Sequence, residues 1–132
     1  IWIDKNTNEL IIVDYKSQAT DRAVDASRYL AGWYRQSYKI QLEFYAYLLL
    51  NMGYNVSPLG YFYVCNADRK CEGFDGKLSF SETLVPYEWN CEWIEEKVWG
   101  MIAVLDSHNL PDSNPSCENC AYAVQRTSVE SN

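Results

Sequence analysis

Residues 9–18 read ELIIVDYKSQ, and the end of this stretch decides the predicted fold. The branched apolar residues before position 14 are typical of a buried β-strand. Side chains alternate between the two faces of a strand, so Asp14 and Lys16 project from the same face. Both faces are apolar up to Val13, which predicts a central strand covered on both sides. The acid and the amine at its end then lie at the rim of the core.

The segments around this strand predict an α/β domain. The polar turn NTN predicts a hairpin between residues 1–5 and 9–16. Residues 34–52 predict a helix that ends at Gly53, and because apolar residues surround it we expect it to be largely buried. Alternating and helical patterns predict two further strands and a second helix, over residues 58–66, 77–87 and 89–109.

The C-terminal residues are rich in Pro and Ser and predict a loop that leads into a disordered tail. We therefore expect a domain at residues 1–122 and a tail at residues 123–132. The 132 residues are enough for one domain with a single core. The longest apolar run, Phe44–Leu50, is far shorter than the roughly 18 residues of a membrane helix, so we expect no membrane partner.

The charges are unevenly distributed along the chain. The net charge of −7 does not favour a phosphate-binding partner. Residues 1–40, however, hold six basic against five acidic side chains, whereas residues 41–132 hold five basic against thirteen acidic ones. This asymmetry leaves room for one local basic face beside Asp14.

A second polar pattern follows on the predicted long helix. Gln41 and Tyr45 lie four residues apart in QLEFY and therefore share one helix face. An acid and a lysine in the pattern DxK are by themselves common as a strand-end salt bridge, and a buried glutamine is commonly satisfied by a neighbour. The order of the parts is more specific than either alone: a hairpin, Asp14 and Lys16 at a strand end, a loop, and a helix with Gln41 and Tyr45.

In this order of parts the chain resembles the PD-(D/E)xK nucleases, especially their RecB-like branch. The residues that carry the resemblance are Asp14-Tyr15-Lys16 and Gln41-x-x-x-Tyr45, and it extends from residue 1 to about Tyr122. It implies a restriction-endonuclease-like core, a mixed central β-sheet flanked by α-helices. It also implies a metal-dependent hydrolase of DNA phosphodiester bonds.

The resemblance implies a role for each matching residue. Asp14 and the backbone carbonyl of Tyr15 would bind Mg²⁺ or Mn²⁺, hard cations that prefer oxygen ligands. Lys16 would orient or activate the attacking water, or stabilise the charge that develops in the transition state. Gln41 and Tyr45 would position the site or contact the DNA backbone. The catalytic set is therefore predicted to be Asp14, Lys16, Gln41 and Tyr45.

The family pairs the DxK acid with another acid on the preceding strand, and Asp4 does not fit that role. With a three-residue loop, Asp4 would lie opposite Leu10, and Asp14 would lie opposite a position just ahead of Ile1. Strands rise ~3.3 Å per residue, so Asp4 is expected more than about 10 Å from Asp14. We therefore expect the second metal-binding acid upstream of Ile1, with the core truncated at its N-terminus and this fragment catalytically weak.

The five cysteines, with no secretory signal before them, predict reduced thiols or metal ligands in a cytoplasmic protein. CENCAY resembles the cysteine-bearing C-terminus of RecB-like members. Cys117 and Cys120 could form half of a site for zinc or an iron–sulfur cluster, completed by Cys65 and Cys71 only if the fold brings them close. Two thiols in a terminal loop are the simpler alternative.

Two alternatives to a nuclease stay open. A nucleic-acid-binding or scaffolding module could keep the fold without turnover, and a cysteine-centred metal or redox module could be built on Cys117 and Cys120. The sequence does not discriminate single-stranded from double-stranded DNA, cleavage at ends from internal cleavage, or any oligomeric state.

Overall fold

The computed structural model describes residues 1–70, 76–109, 111–114 and 116–130. The chain divides into two compact units, Ile1–Ile94 and Glu95–Asn132. The predicted hairpin, the central sheet and the first long helix all belong to the first unit.

The N-terminal hairpin is shorter than predicted, and its register differs by one residue. Strand β1 (Trp2–Ile3) pairs antiparallel with β2 (Leu10–Ile11). Asp4 was expected opposite Leu10, and this was wrong: its N–H donates to the carbonyl of Glu9 at 3.0 Å. The reason is a four-residue turn in place of a three-residue one, in which Asn8 adopts a φ of 61° and donates to the Asp4 carbonyl at 2.8 Å.

A second, three-stranded sheet contains the strand that ends in Asp14 and Lys16. Strand β3 (Val13–Gln18) pairs in parallel with β4 (Leu59–Ala67), which pairs antiparallel with β5 (Phe80–Glu88). This mixed sheet, flanked by helices, confirms the predicted α/β class and its restriction-endonuclease-like core.

Strand β3 is not the central, doubly covered strand that the sequence predicted. It lies at the edge of the sheet formed by the described residues, and Tyr15 on its outer face is 57% exposed. The apolar run that suggested a central strand is shared between two sheets, because Leu10 and Ile11 pair in the hairpin. Ile12, between the two strands, is the member of the run that enters the core.

Helix α1 (Gln36–Asn51) covers one face of the three-stranded sheet. Its Leu42 is fully buried in a core cluster that includes Phe62 of β4. Gly60 allows this close packing, since a Cβ there would lie 3.0 Å from Leu42 Cδ2. The helix is followed by Gly53 at a φ of 84°, which confirms the predicted C-terminal glycine cap.

Helix α1 is less buried than predicted. Its buried residues are Leu42, Glu43 and Ala46, whereas Leu48 is 52% exposed and Leu50 is 40% exposed. A helix that packs on a single sheet can bury only the side that faces it. The apolar residues all round α1 therefore led to an overestimate of its burial.

Helix α2 (Glu92–Leu105) confirms the second predicted helix, and its first turn is anchored in the first unit. The Trp93 ring packs against Phe44 of α1 at 6.1 Å between centroids, and Trp93 Nε1 donates to Glu43 at 2.8 Å. The hydroxyl of Tyr87 in β5 donates to the same Glu43 carboxylate. One buried acid therefore joins α1, β5 and α2.

In the second unit, helix α3 (Glu118–Glu130) stands where the sequence predicted a loop and a disordered tail. Alanines 121 and 123 favour a helix, and Arg126 pairs with Glu130 at 2.7 Å across one turn. The Pro and Ser content that suggested disorder lies mostly ahead of the helix. The domain boundary at residue 122 stays a prediction. None of the helices in the described ranges is long and apolar enough to cross a membrane.

Candidate active site

Asp14 and Lys16 form a partly buried ion pair at the helix-covered face of β3. Lys16 Nζ lies 2.7 Å from Asp14 Oδ2, and the two side chains are only 16% and 12% exposed. The parallel register sets Asp14 beside Phe62 and Lys16 beside Val64, two core residues of β4. The alternation of β3 therefore directs both charges to the covered face, as the sequence predicted.

Gln41 connects this pair to helix α1. Lys16 Nζ donates to Gln41 Oε1 at 2.8 Å, and Gln41 Nε2 donates to the Tyr45 hydroxyl at 2.6 Å. A lysine ammonium has only donors, so the amide oxygen must face it and the amide N–H groups are left for Tyr45. In this series of contacts Tyr45 follows Gln41, and its side chain is 41% exposed. The structure thus brings all four predicted residues into one chain of contacts.

Tyr38 belongs to the same cluster, although the sequence analysis gave it no role there. Lys16 Nζ lies over its ring, 4.2 Å from the centroid, an arrangement that stabilises a cation. Tyr38 precedes Gln41 by three residues and Tyr45 by seven, so helical spacing was the signal that could have found it. The lysine ammonium is therefore held from three directions, by Asp14, Gln41 and Tyr38.

The comparison with protein families agrees with this geometry. The family model that describes the PD-(D/E)XK nuclease superfamily matches residues 2–125, nearly the whole chain. The chain belongs to the PD-(D/E)XK nuclease superfamily. Neither the curated proteins nor the solved structures contain a significant match. Membership in this superfamily implies a phosphodiester-hydrolysing nuclease and a nucleic-acid substrate.

PD-(D/E)XK nucleases typically use divalent cations, and Asp14 has a feature that fits this use. Its buried Oδ2 lies close to Lys16 Nζ but at an angle that makes no hydrogen bond, and it has no hydrogen-bond donor among the described residues. This carboxylate oxygen is engaged by the Lys16 ammonium alone among the described residues, and a carboxylate is a ligand that a hard cation prefers. Across the described ranges, however, no group of three or more His, Cys, Asp or Glu residues could hold a metal. Asp14 therefore fits as one ligand of an incomplete set.

Two other residues were considered as ligands in the sequence analysis. Asp4 accepts the N–H groups of Asn6 at 2.7 Å and Thr7 at 3.2 Å, so its carboxylate caps the hairpin turn. This use agrees with its exclusion as the partner of Asp14. The side chain of Tyr15 projects to the outer face, where its ring lies 6.1 Å from that of Tyr63. The ligand role of its carbonyl and the second acid upstream of Ile1 stay predictions.

The cysteines do not form a metal site within the described ranges. Cys65 is buried in β4 of the first unit, and Cys71 lies outside the described residues. Hydrogen bonds from the backbone and side chain of Cys120 hold the pKa of the Cys117 thiol below its ordinary value. These two thiols lie at the start of α3 in the second unit. Their role as half of a zinc or iron–sulfur site stays a prediction.

Proposed function

We propose that this protein is a Mg²⁺- or Mn²⁺-dependent DNA nuclease of the RecB-like type, active in DNA repair or recombination, with its active centre at Asp14, Lys16 and Gln41. One observation carries the proposal: Lys16 Nζ lies between Asp14 Oδ2 at 2.7 Å and Gln41 Oε1 at 2.8 Å. These residues come from β3 and α1, and Gln41 follows Lys16 by 25 positions. An acid, an amine and an amide side chain in contact support a role in phosphodiester hydrolysis.

Each residue has a distinct task in the proposed reaction, in which water attacks phosphorus and the bond to the leaving sugar oxygen breaks. Asp14 and the Tyr15 carbonyl would hold the cation, which supplies an activated water and neutralises charge on the phosphate. Lys16 orients the water or stabilises the negative charge that develops on the phosphate oxygens. Gln41 positions the Lys16 ammonium, and Tyr45 orients the Gln41 amide.

The proposal is tested by cleavage of end-labelled single-stranded DNA, duplex DNA and RNA by the protein extended upstream of Ile1, so that it carries the expected second acid. This extended form is used in every cleavage assay below. Each substrate is incubated with Mg²⁺, with Mn²⁺ and with EDTA. We expect DNA cleavage that requires either cation. Cleavage that persists in EDTA would contradict the role of Asp14 as a cation ligand, and cleavage of RNA alone would contradict DNA as the substrate.

The alternative is a nucleic-acid-binding module without turnover. It is favoured by the absence, among the described residues, of a group of three or more metal-ligating side chains. The same experiment separates the two functions when binding is measured in parallel. Binding of DNA by the folded, extended protein with no cleavage under any condition would establish the module and exclude the enzyme.

A further inference from the structure

An arginine-rich pocket lies beyond the end of β3, outside the site described above. Its volume is about 530 Å³, and it is lined by four arginines and two aspartates, Arg22, Arg28, Arg35, Arg69, Asp21 and Asp25. Their formal charge of about +2 contrasts with the net charge of −7 for the whole chain. The charge distribution along the sequence allowed for one local basic face, and this pocket is such a face.

The two aspartates neutralise this pocket only weakly. Arg28 Nε lies 3.9 Å from Asp25 Oδ2, and Arg69 Nε lies 3.9 Å from Asp21 Oδ1. All four side chains are more than half exposed. Exposed ion pairs at such distances contribute little to stability, so another anion can easily replace the aspartate carboxylates. The pocket can therefore offer its arginines to a ligand.

Arg35 is the most firmly placed of the four arginines. Its guanidinium lies 3.6 Å from the ring centroid of Tyr29 and 5.2 Å from that of Tyr34. Its Nη2 donates to Gln18 Oε1 at 3.3 Å, a long hydrogen bond, and its Nε is buried with no hydrogen-bond acceptor among the described residues. Because Nε is buried, the Nη groups are the donors that a ligand in the pocket can reach. A planar guanidinium fixed on aromatic rings matches the geometry of phosphate oxygens.

Arg35 also lies close to the candidate active site, because Tyr38 contacts both cations. Lys16 Nζ is 4.2 Å from the Tyr38 ring centroid, and Arg35 Cζ is 5.7 Å from it. The two cationic groups are therefore no more than about 10 Å apart, which is at most about three nucleotides at the ~3.4 Å axial rise of one DNA strand.

We propose that this pocket binds a phosphate group of the DNA strand within about three nucleotides of the scissile phosphate, with Arg35 as its principal ligand and Arg22 as a second. The inference rests on the proposed function, because it assumes that the scissile phosphate lies at Lys16. The exposed rings of Trp33 and Tyr34, 89% and 60% exposed, offer a surface on which an unpaired base stacks beside that phosphate. The phosphate is either a bridging one or the 5′-terminal one.

The test is binding of a fluorescein-labelled single-stranded oligonucleotide to the protein in EDTA, measured by anisotropy between 50 and 300 mM salt. The variants are Arg35→Gln and Arg22→Gln, and the matched control is Arg126→Gln on α3 of the second unit. Each lost phosphate contact should reduce the slope of log affinity against log salt by about 0.7. We expect that reduction and several-fold weaker binding for both pocket variants and wild-type behaviour for the control.

The two phosphate sources are separated by oligonucleotides with a 5′-phosphate and with a 5′-hydroxyl. Equal loss with both supports a bridging phosphate, and loss confined to the phosphorylated strand supports the terminal one. Wild-type affinity and slope in both pocket variants would overturn the inference, as would a wild-type chain that binds no oligonucleotide. Arg22 is exposed, so Arg22→Gln tests the pocket even if Arg35→Gln fails to fold.

Cleavage assays distinguish failure of this inference from failure of the proposed function. If the wild-type protein cleaves DNA and both pocket variants bind it normally, the pocket is refuted and the nuclease function stands. If substitution of Arg35 or Arg22 weakens DNA binding but the extended wild-type protein cleaves nothing with Mg²⁺ or Mn²⁺, the pocket is supported and the nuclease function is refuted.

Discussion

Gln41→Leu tests whether the contacts of Lys16 position it for catalysis. The substitution removes the acceptor that lies 2.8 Å from Lys16 Nζ and keeps a side chain of similar size. A hydrogen bond to a charged group contributes about 1.5–3 kcal/mol, and Lys16 is only 16% exposed, so little of this is lost to solvent. If the transition state loses the whole of this contribution, the cleavage rate should fall about 10- to 150-fold.

The same geometry predicts a smaller effect for Tyr45→Phe. This substitution removes only the acceptor of the Gln41 N–H, at a hydroxyl on a side chain that is 41% exposed, where water can replace it. A neutral hydrogen bond of this kind contributes about 0.5–1.5 kcal/mol at most, and partial exposure places the loss at the lower end, a rate reduction below about five-fold.

The assay is single-turnover cleavage of labelled DNA with Mn²⁺, with folding of each variant checked by urea denaturation. Gln125→Leu, the same chemical change on an exposed position of α3, is the matched control and should cleave at the wild-type rate. A Gln41→Leu variant that cleaves normally would refute the positioning role. A Tyr45→Phe variant as impaired as Gln41→Leu would show instead that Tyr45 contacts the substrate directly.

Three further predictions concern stability, measured by urea or thermal unfolding. Gly60→Ala should lower the free energy of unfolding by about 1–3 kcal/mol, because the new Cβ would lie 3.0 Å from Leu42 Cδ2; an unchanged value would refute the close packing of α1 on β4. Leu42→Ala should cost about 2–5 kcal/mol, since Leu42 is fully buried, and a loss below 1 kcal/mol would contradict its place in the core. Burial, and then the hydrogen bond to Glu43, raise the pKa of Tyr87 above its ordinary value, so its contribution to stability is complete below about pH 10 and is lost as the pH rises further. Tyr87→Phe should therefore flatten the fall in unfolding temperature above pH 10, and an equally steep fall in both proteins would contradict the assignment.

The sequence predicted that Asp14 and Lys16 share one face of β3, and that Gln41 and Tyr45 share one side of α1, because these placements have local determinants. Alternation along β3 places Asp14 and Lys16 on one face, and the helical spacing of Gln41 and Tyr45 places both on one side of α1. A parallel pairing of β3 with β4 through a helical crossover then brings the two elements together. These patterns lie within a few residues, so a single sequence contains them.

The features that the sequence did not predict depend on contacts between distant residues. Glu43 is satisfied by Tyr87 and Trp93, which follow it by 44 and 50 residues, and no local pattern indicates those partners. The hairpin register depended on one additional turn residue, Lys5, in a turn that Asn8 closes with a positive φ, and a one-residue shift changes every pair along the strands. The edge position of β3 depended on how an apolar run was divided between two sheets.

The central claim is that Lys16 acts in phosphodiester hydrolysis, and it is tested most directly by single-turnover DNA cleavage with Mn²⁺ by Lys16→Met. Its matched control is Lys97→Met, the same change on an exposed position of α2. We predict wild-type cleavage by the control and a loss of at least about 100-fold in Lys16→Met, with DNA binding retained, because a donor to the transition state is removed. Cleavage by Lys16→Met at the rate of Lys97→Met would contradict the account.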